Sequence, residues 1–131
     1  MREEQDEQDE RLPFERDRPA KALVVIGDDR IALATVLVLQ EMNLAVDISM
    51  DGDSAIAWSR RSGYDVIVCG PGGDAAIDLA LRFRMSAPDA TVYLLTAPEE
   101  ETAALWVLGV ELIAPPLDVN TLMSRFWRTA A

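Results

Sequence analysis

The sequence predicts an α/β fold: a doubly wound, five-stranded parallel sheet flanked by five helices. Short runs rich in valine, isoleucine and leucine alternate with longer segments whose apolar residues recur at helical spacing. The short runs are continuously apolar, which is typical of strands buried on both faces of a parallel sheet. Because five such strand–helix pairs follow one another, right-handed crossovers are expected to place helices on both faces.

The strands and helices alternate in order along the chain. The expected strands are KALVVIG (21–27), LAVDIS (44–49), YDVIVCG (64–70), ATVYLLT (90–96) and VELIA (110–114). The expected helices are RIALATVLVLQEM (30–42), DSAIAWSRRS (53–62), DAAIDLALRFRM (74–85), PEEETAALWVLG (98–109) and DVNTLMSRFW (118–127). Asp53 and Asp118 are candidate N-caps, since a carboxylate accepts hydrogen bonds from the free amides of a first helical turn.

The first 19 residues differ in composition from the rest of the chain. They hold eight acidic and four basic residues and almost no aliphatic ones, so we predict a disordered acidic tail over 1–19 and one folded domain over 20–131.

Composition excludes several classes of function. The net charge of −11 disfavours binding to nucleic acid or to anionic membranes. The chain has no histidine and a single cysteine, Cys69, which rules out histidine-based catalysis and metal sites and an internal disulfide. No secretory signal is evident and the longest apolar run is too short to span a bilayer, so a cytoplasmic location is expected.

Five short motifs carry a resemblance to a known family. They are KALVV, DGDSAI, GYDVIV, LLTA and GVELIAPPLD, in that order and at nearly the intervals of the family. Together they resemble the receiver domains of two-component response regulators, over residues 21 to about 129. The resemblance implies a phosphorylation site at the carboxyl ends of the strands.

The resemblance also implies which residues ought to do the chemistry. The family uses an Asp at the end of the third strand, a Thr or Ser after the fourth and a Lys after the fifth, because a lysine and a metal ion neutralise the charge that develops on phosphorus. Matching positions here are Gly70, Thr96 and Pro115. Glycine cannot accept a phosphoryl group, and the only lysine of the chain is Lys21. The sequence is therefore identified as an atypical pseudo-receiver.

The acidic pair that holds Mg²⁺ in the family falls on Ile26 and Gly27 when the first helix is aligned without gaps. Asp28 lies one step beyond this pair, followed by Asp29. A one-residue bulge would restore the match, whereas without it Asp28 or Asp29 is expected to cap the helix. We expect no catalytic residue, no bound metal and no cofactor. The family's Lys-Pro bond further implies a cis peptide before Pro116.

An outward apolar stripe on the first helix departs from the family. Leu33, Val36 and Leu37 are expected to face away from the sheet, and Met123 and Trp127 of the last helix extend the stripe. We predict a protein interface here, most simply a two-fold homodimer through the first helix. The alternative is that the N-terminal segment, through Leu12, Pro13 and Phe14, folds back over the stripe.

A second candidate interface lies on the face that receivers commonly use for output. It would offer Trp106, Leu112, Arg125 and Arg128. Leu112 stands where the family usually has an aromatic switch residue, which disfavours a phosphorylation-linked switch.

Two functions remain open from sequence. The first is a phosphorylation-independent signalling or scaffolding module that is not an enzyme and acts through protein contacts. The second is a small-molecule sensor that binds its ligand in the vacated pocket. That pocket would be lined by Gly27, Gly70, Pro71 and Thr96.

Overall fold

A computed structural model describes residues 20–71, 73–96 and 108–130. In chain order the elements are β1 (Lys21–Ile26), α1 (Asp29–Glu41), β2 (Ala45–Ile48), α2 (Gly52–Arg61), β3 (Val66–Gly70), α3 (Gly73–Ser86), β4 (Thr91–Leu95), β5 (Val110–Ile113) and α4 (Val119–Ala130). The five strands form one parallel sheet in the order β2-β1-β3-β4-β5. This confirms the predicted fold class.

The helix predicted over 98–109 lies mostly outside the described residues, as does the predicted tail over 1–19. Only Leu108 and Gly109 of that helix are described, and they form a turn before β5. Each of the four helices in the described ranges begins within one residue of its prediction and ends within three.

Helices cover both faces of the sheet because side chains alternate across each strand. Ala22, Val24 and Ile26 of β1 pack in the core under α1 and α4. Leu23 packs in the second core, under α2 and α3. On the α4 side the rings of Tyr93 and Phe126 meet edge to face, with centroids 4.8 Å apart.

Aspartates cap three of the helices. Asp28 and Asp118 cap α1 and α4, the second as predicted. The prediction of Asp53 as the cap of α2 was wrong. Asp51 has the extended backbone of a cap, and its Oδ2 accepts hydrogen bonds from the amide and the hydroxyl of Ser54, at 2.9 and 2.8 Å. Asp53 instead lies in the first turn of α2 and pairs with Arg82.

No helix within the described ranges is long and apolar enough to cross a bilayer.

Candidate functional site at the carboxyl edge of the sheet

Gly70 ends β3 at the predicted phosphoacceptor position, beside Ile26 of β1. Its φ of +122° lies in a region that L side chains rarely adopt. A Cβ built on Gly70 would lie 2.6 Å from the carbonyl oxygen of Leu95. The Gly70–Pro71 peptide is cis. In this conformation of β3, a Cβ atom at residue 70 is strained and clashes with β4.

The two positions matched to the metal-binding acids behave differently from each other. Ile26 is 2% exposed and belongs to the core under α1, so its side chain does not face the site. Gly27 is exposed, and a Cβ there would meet nothing within 4 Å. Only Gly27 has room for a functional side chain, and it has none.

Asp28 acts as a helix cap. One carboxylate oxygen, Oδ1, accepts hydrogen bonds from the amides of Arg30 and Ile31, both at 3.0 Å. This confirms the capping alternative for Asp28, while Asp29 is exposed in the first turn of α1. Within the described ranges, no three Asp, Glu, Cys or His side chains cluster closely enough to hold a metal ion.

Thr96 is in place after β4 but its hydroxyl is used internally. The residue is 5% exposed, and its Oγ1 donates to the Ile113 carbonyl at 3.3 Å. The Thr96 amide donates to the same oxygen at 2.9 Å. Pro115 and Pro116 follow β5, and the peptide between them is cis, as the sequence predicted. Thr96 thus ties the end of β4 to the end of β5.

Two clefts open at this edge, one on each face of the sheet. The larger, of about 410 Å³, lies between β3, α2 and α3, and is lined by Val25, Gly52, Gly70, Pro71, Ala75, Ala76, Asp78, Leu79 and Arg82. The other, of about 390 Å³, lies between α1 and α4, and is lined by Asp28, Arg30, Ile31, Ala34, Leu117, Asp118 and Val119. Of the four residues predicted to line the vacated pocket, Gly70 and Pro71 line the larger cleft, whereas Gly27 and Thr96 line neither cleft.

Hydrogen bonds or burial shift the pKa values of three ionisable groups near this edge of the sheet. The side-chain hydroxyl and then the amide of Ser54 lower the pKa of Asp51. The backbone amide of Thr121 lowers the pKa of Asp118. Burial raises the pKa of the Cys69 thiol to about 12. Cys69 is thus an inert core residue, because thiolate is the reactive form.

The predicted interface residues divide into two groups. Leu33, Leu37 and Trp127 are 61%, 51% and 39% exposed. Val36 and Met123 are half-buried and pack against the core under α1 and α4. α1 and α4 are neighbours in the described fold. We call these five residues the α1–α4 face, of which Leu33, Leu37 and Trp127 are the protruding part.

The second predicted interface is already partly engaged. Leu112 is half-buried against the core under α2 and α3. The guanidinium of Arg125 donates to the Leu112 carbonyl at 2.6 Å, which holds α4 to β5. Arg128 is exposed. Trp106 lies outside the described residues.

The sequence predicted Gly70 and Pro71 as lining residues of a pocket at this edge but missed the wall of the larger cleft on α3. Ala75, Ala76, Leu79 and Arg82 recur at helical spacing along one side of α3, and that spacing was the available signal. Arg82 also pairs with Asp53 of α2, at 3.3 Å.

The described fold is similar to solved structures of response regulators. Chemotaxis protein CheY4 of Vibrio cholerae aligns with a TM-score of 0.68 at 20% identity, over 85% of this chain and 98% of that one. A response regulator from Thermotoga maritima gives 0.68 at 20% identity, over 85% and 97%. An orphan response regulator of H. pylori gives 0.65 at 14% identity, over 86% and 97%.

No protein-family model matches the sequence, and comparison with curated proteins finds no match. The structural likeness, at these identities, shows that the chain has the receiver fold.

Proposed function

We propose that this protein is a cytoplasmic signalling or scaffolding module that uses a receiver fold without phosphorylation and acts through protein contacts. The structural neighbours are response regulators, which supports a place in signalling. The protein is not an enzyme and needs no metal or cofactor.

The observation that carries the proposal is the backbone at Gly70. Residue 70 has no carboxylate, and its positive φ and the nearby Leu95 carbonyl oxygen disfavour any side chain at the end of β3, which supports the proposal. Other residues that phosphorylation needs in the family are also absent or already engaged. Pro115 stands at the position of the lysine, and one carboxylate oxygen of Asp28 caps α1. The feature that remains for function is an exposed apolar surface suited to protein binding, above all the leucines and the tryptophan of the α1–α4 face.

Intact-mass spectrometry tests the loss of phosphorylation. The protein is incubated with acetyl phosphate and Mg²⁺ and weighed beside a phosphorylatable receiver domain treated in the same way. We expect the control to gain one phosphoryl group and this protein to gain none. A phosphoryl adduct that hydroxylamine removes would indicate an acyl phosphate and would refute the proposal.

The cleft beside Gly70 favours a second candidate function, the binding of a small molecule. Its volume of about 410 Å³ falls in the range of ligand pockets, and its lining is mostly apolar with Asp78 and Arg82 at hand. A thermal-shift screen of metabolites tests it, because a ligand that binds only the folded state raises the melting temperature. A hit whose shift disappears in Ala76→Leu, which narrows the cleft, would support this function. A screen without hits would count against it.

A further inference from the structure

A row of exposed side chains on α1 has a charge at each end and leucines between. Arg30, Leu33, Leu37 and Glu41 follow one another at intervals of three, four and four residues, which places them on one side of the helix. Thr35, Val38 and Leu39 face the core from the opposite side. The row is therefore the crest of α1.

The two charges lie on the same flank of the crest, the flank toward α4. Eleven residues are just over three full turns, so Glu41 lies nearly above Arg30 along the helix. Arg30 lines the cleft between α1 and α4 together with Ile31 and Val119, which identifies the flank.

On α4, Val119, Met123 and Trp127 form an apolar row at intervals of four residues. Val119 is 43% exposed and Trp127 39% exposed, with half-buried Met123 midway between them. None of the three residues is charged. If the same row of a second copy packed against it in the antiparallel direction, Trp127 of each copy would contact Val119 of the other.

We propose that the partner of the α1–α4 face is a second copy of this chain, paired with its α1 antiparallel and Arg30 beside Glu41 of the partner subunit. A two-fold axis perpendicular to the two α1 helices places the same flank of each α1 on the same side of the dimer. The two-fold axis must pass close to the sequence midpoint of each residue pair. For the pair of residues 30 and 41 and the pair of residues 33 and 37, these midpoints differ by only half a residue. At a rise of about 1.5 Å per residue, both pairs fit one register to within about 1 Å.

This arrangement forms two equivalent ion pairs around an apolar centre. Leu33 meets Leu37 of the partner subunit, and the α4 rows continue the contact on one side. A parallel pairing would join opposite flanks of α1, so Arg30 would lie by Asp29 of the partner subunit and Glu41 would find no cation. The pairing of Arg30 with Glu41 is therefore specific to the antiparallel dimer. This dimer gives an identity to the protein partner in the function proposed above, and its role in signalling rests on that proposed function.

Sedimentation equilibrium of the full chain tests the dimer, with circular dichroism to verify folding. We expect the wild type to dimerise at micromolar concentration and Leu37→Glu to be monomeric. Met85→Glu is the matched control, because Met85 is 84% exposed on α3, on the other face of the sheet, and its change should leave the dimer intact. A wild type that stays monomeric at high micromolar concentration would overturn the proposal.

Charge reversal tests the register. Arg30→Glu and Glu41→Arg should each weaken the dimer about tenfold, because two symmetric attractions become two repulsions. The double variant Arg30→Glu/Glu41→Arg should recover the wild-type dissociation constant. A double variant as weak as the single ones would overturn the antiparallel register. Either failure leaves the loss of phosphorylation, which rests on Gly70, to be judged by the intact-mass test.

Discussion

Gly70 at the end of β3 lies so close to Leu95 of β4 that a Cβ atom on residue 70 would clash with the Leu95 backbone. A Cβ at Gly70 would lie 2.6 Å from the Leu95 carbonyl oxygen and 3.1 Å from the Leu95 amide nitrogen. Real Cβ atoms do not come this close to backbone oxygen, so a side chain would push the strands apart. The packing of β4 against β3 therefore disfavours any side chain at the position where the sequence places the family's phosphoacceptor.

Replacing Gly70 should destabilise the protein far more than replacing Gly27. Gly70→Ala combines a strained positive φ with the clash against Leu95, which we expect to cost about 2 kcal/mol or more. Gly27→Ala is the matched control, because open space surrounds its Cβ position, and should change stability by less than about 0.5 kcal/mol. Urea denaturation measures both. Equal effects of the two substitutions would contradict the geometry of β3.

Capping by Asp28 predicts a difference between two neighbouring aspartates. Asp28→Ala leaves the amides of Arg30 and Ile31 without their acceptor and should cost about 1 kcal/mol. Asp29→Ala removes only a charge from the first turn of α1 and should cost a few tenths of a kcal/mol. Thermal denaturation of both variants distinguishes them. The reverse order would return Asp29 to consideration as the functional acid.

Asp51 should make stability depend on pH in acid. Hydrogen bonds from Ser54 lower its pKa in the folded state. Its contribution is therefore present above the ordinary value of about 3.9 and is lost as pH falls through the lowered one. Ser54→Ala removes the hydroxyl donor, the largest cause, and should raise the pKa of Asp51 toward the ordinary value. Titration of the carboxyl carbon by NMR measures this, and an unchanged pKa in Ser54→Ala would disprove the assignment.

The fold was predictable because short runs rich in valine, isoleucine and leucine mark the strands in the sequence. Val66–Gly70 is continuously apolar and ends in glycine, and the other described strands lie where they were expected, although β2 contains Asp47 and β5 contains Glu111. That Gly70 ends β3 at the position of the family's acceptor was predicted from the family's order of motifs. The positive φ of Gly70 could not be predicted, because it depends on how closely β4 packs beside β3.

The N-cap of α2 and the exposure of the predicted interface residues depend on tertiary contacts, which sequence periodicity does not reveal. Asp51 and Asp53 are equally good caps by residue type, and the choice is made where the backbone leaves its extended form at Asp51. Val36 and Met123 are apolar residues on predicted outward positions, yet neighbouring elements partly cover them. A helical wheel treats each helix alone and therefore overestimates what is exposed.

Amide NMR of the isotopically labelled protein, titrated with Mg²⁺ and then acetyl phosphate, tests the loss of receiver chemistry most directly. The amides of Gly27, Asp28, Gly70 and Thr96 report on the predicted site at the ends of β1, β3 and β4. The account predicts that none of their resonances shifts in a saturable way with either addition. Saturable shifts of Asp28 and Gly70 with Mg²⁺, followed by a second set with the phosphodonor, would contradict it.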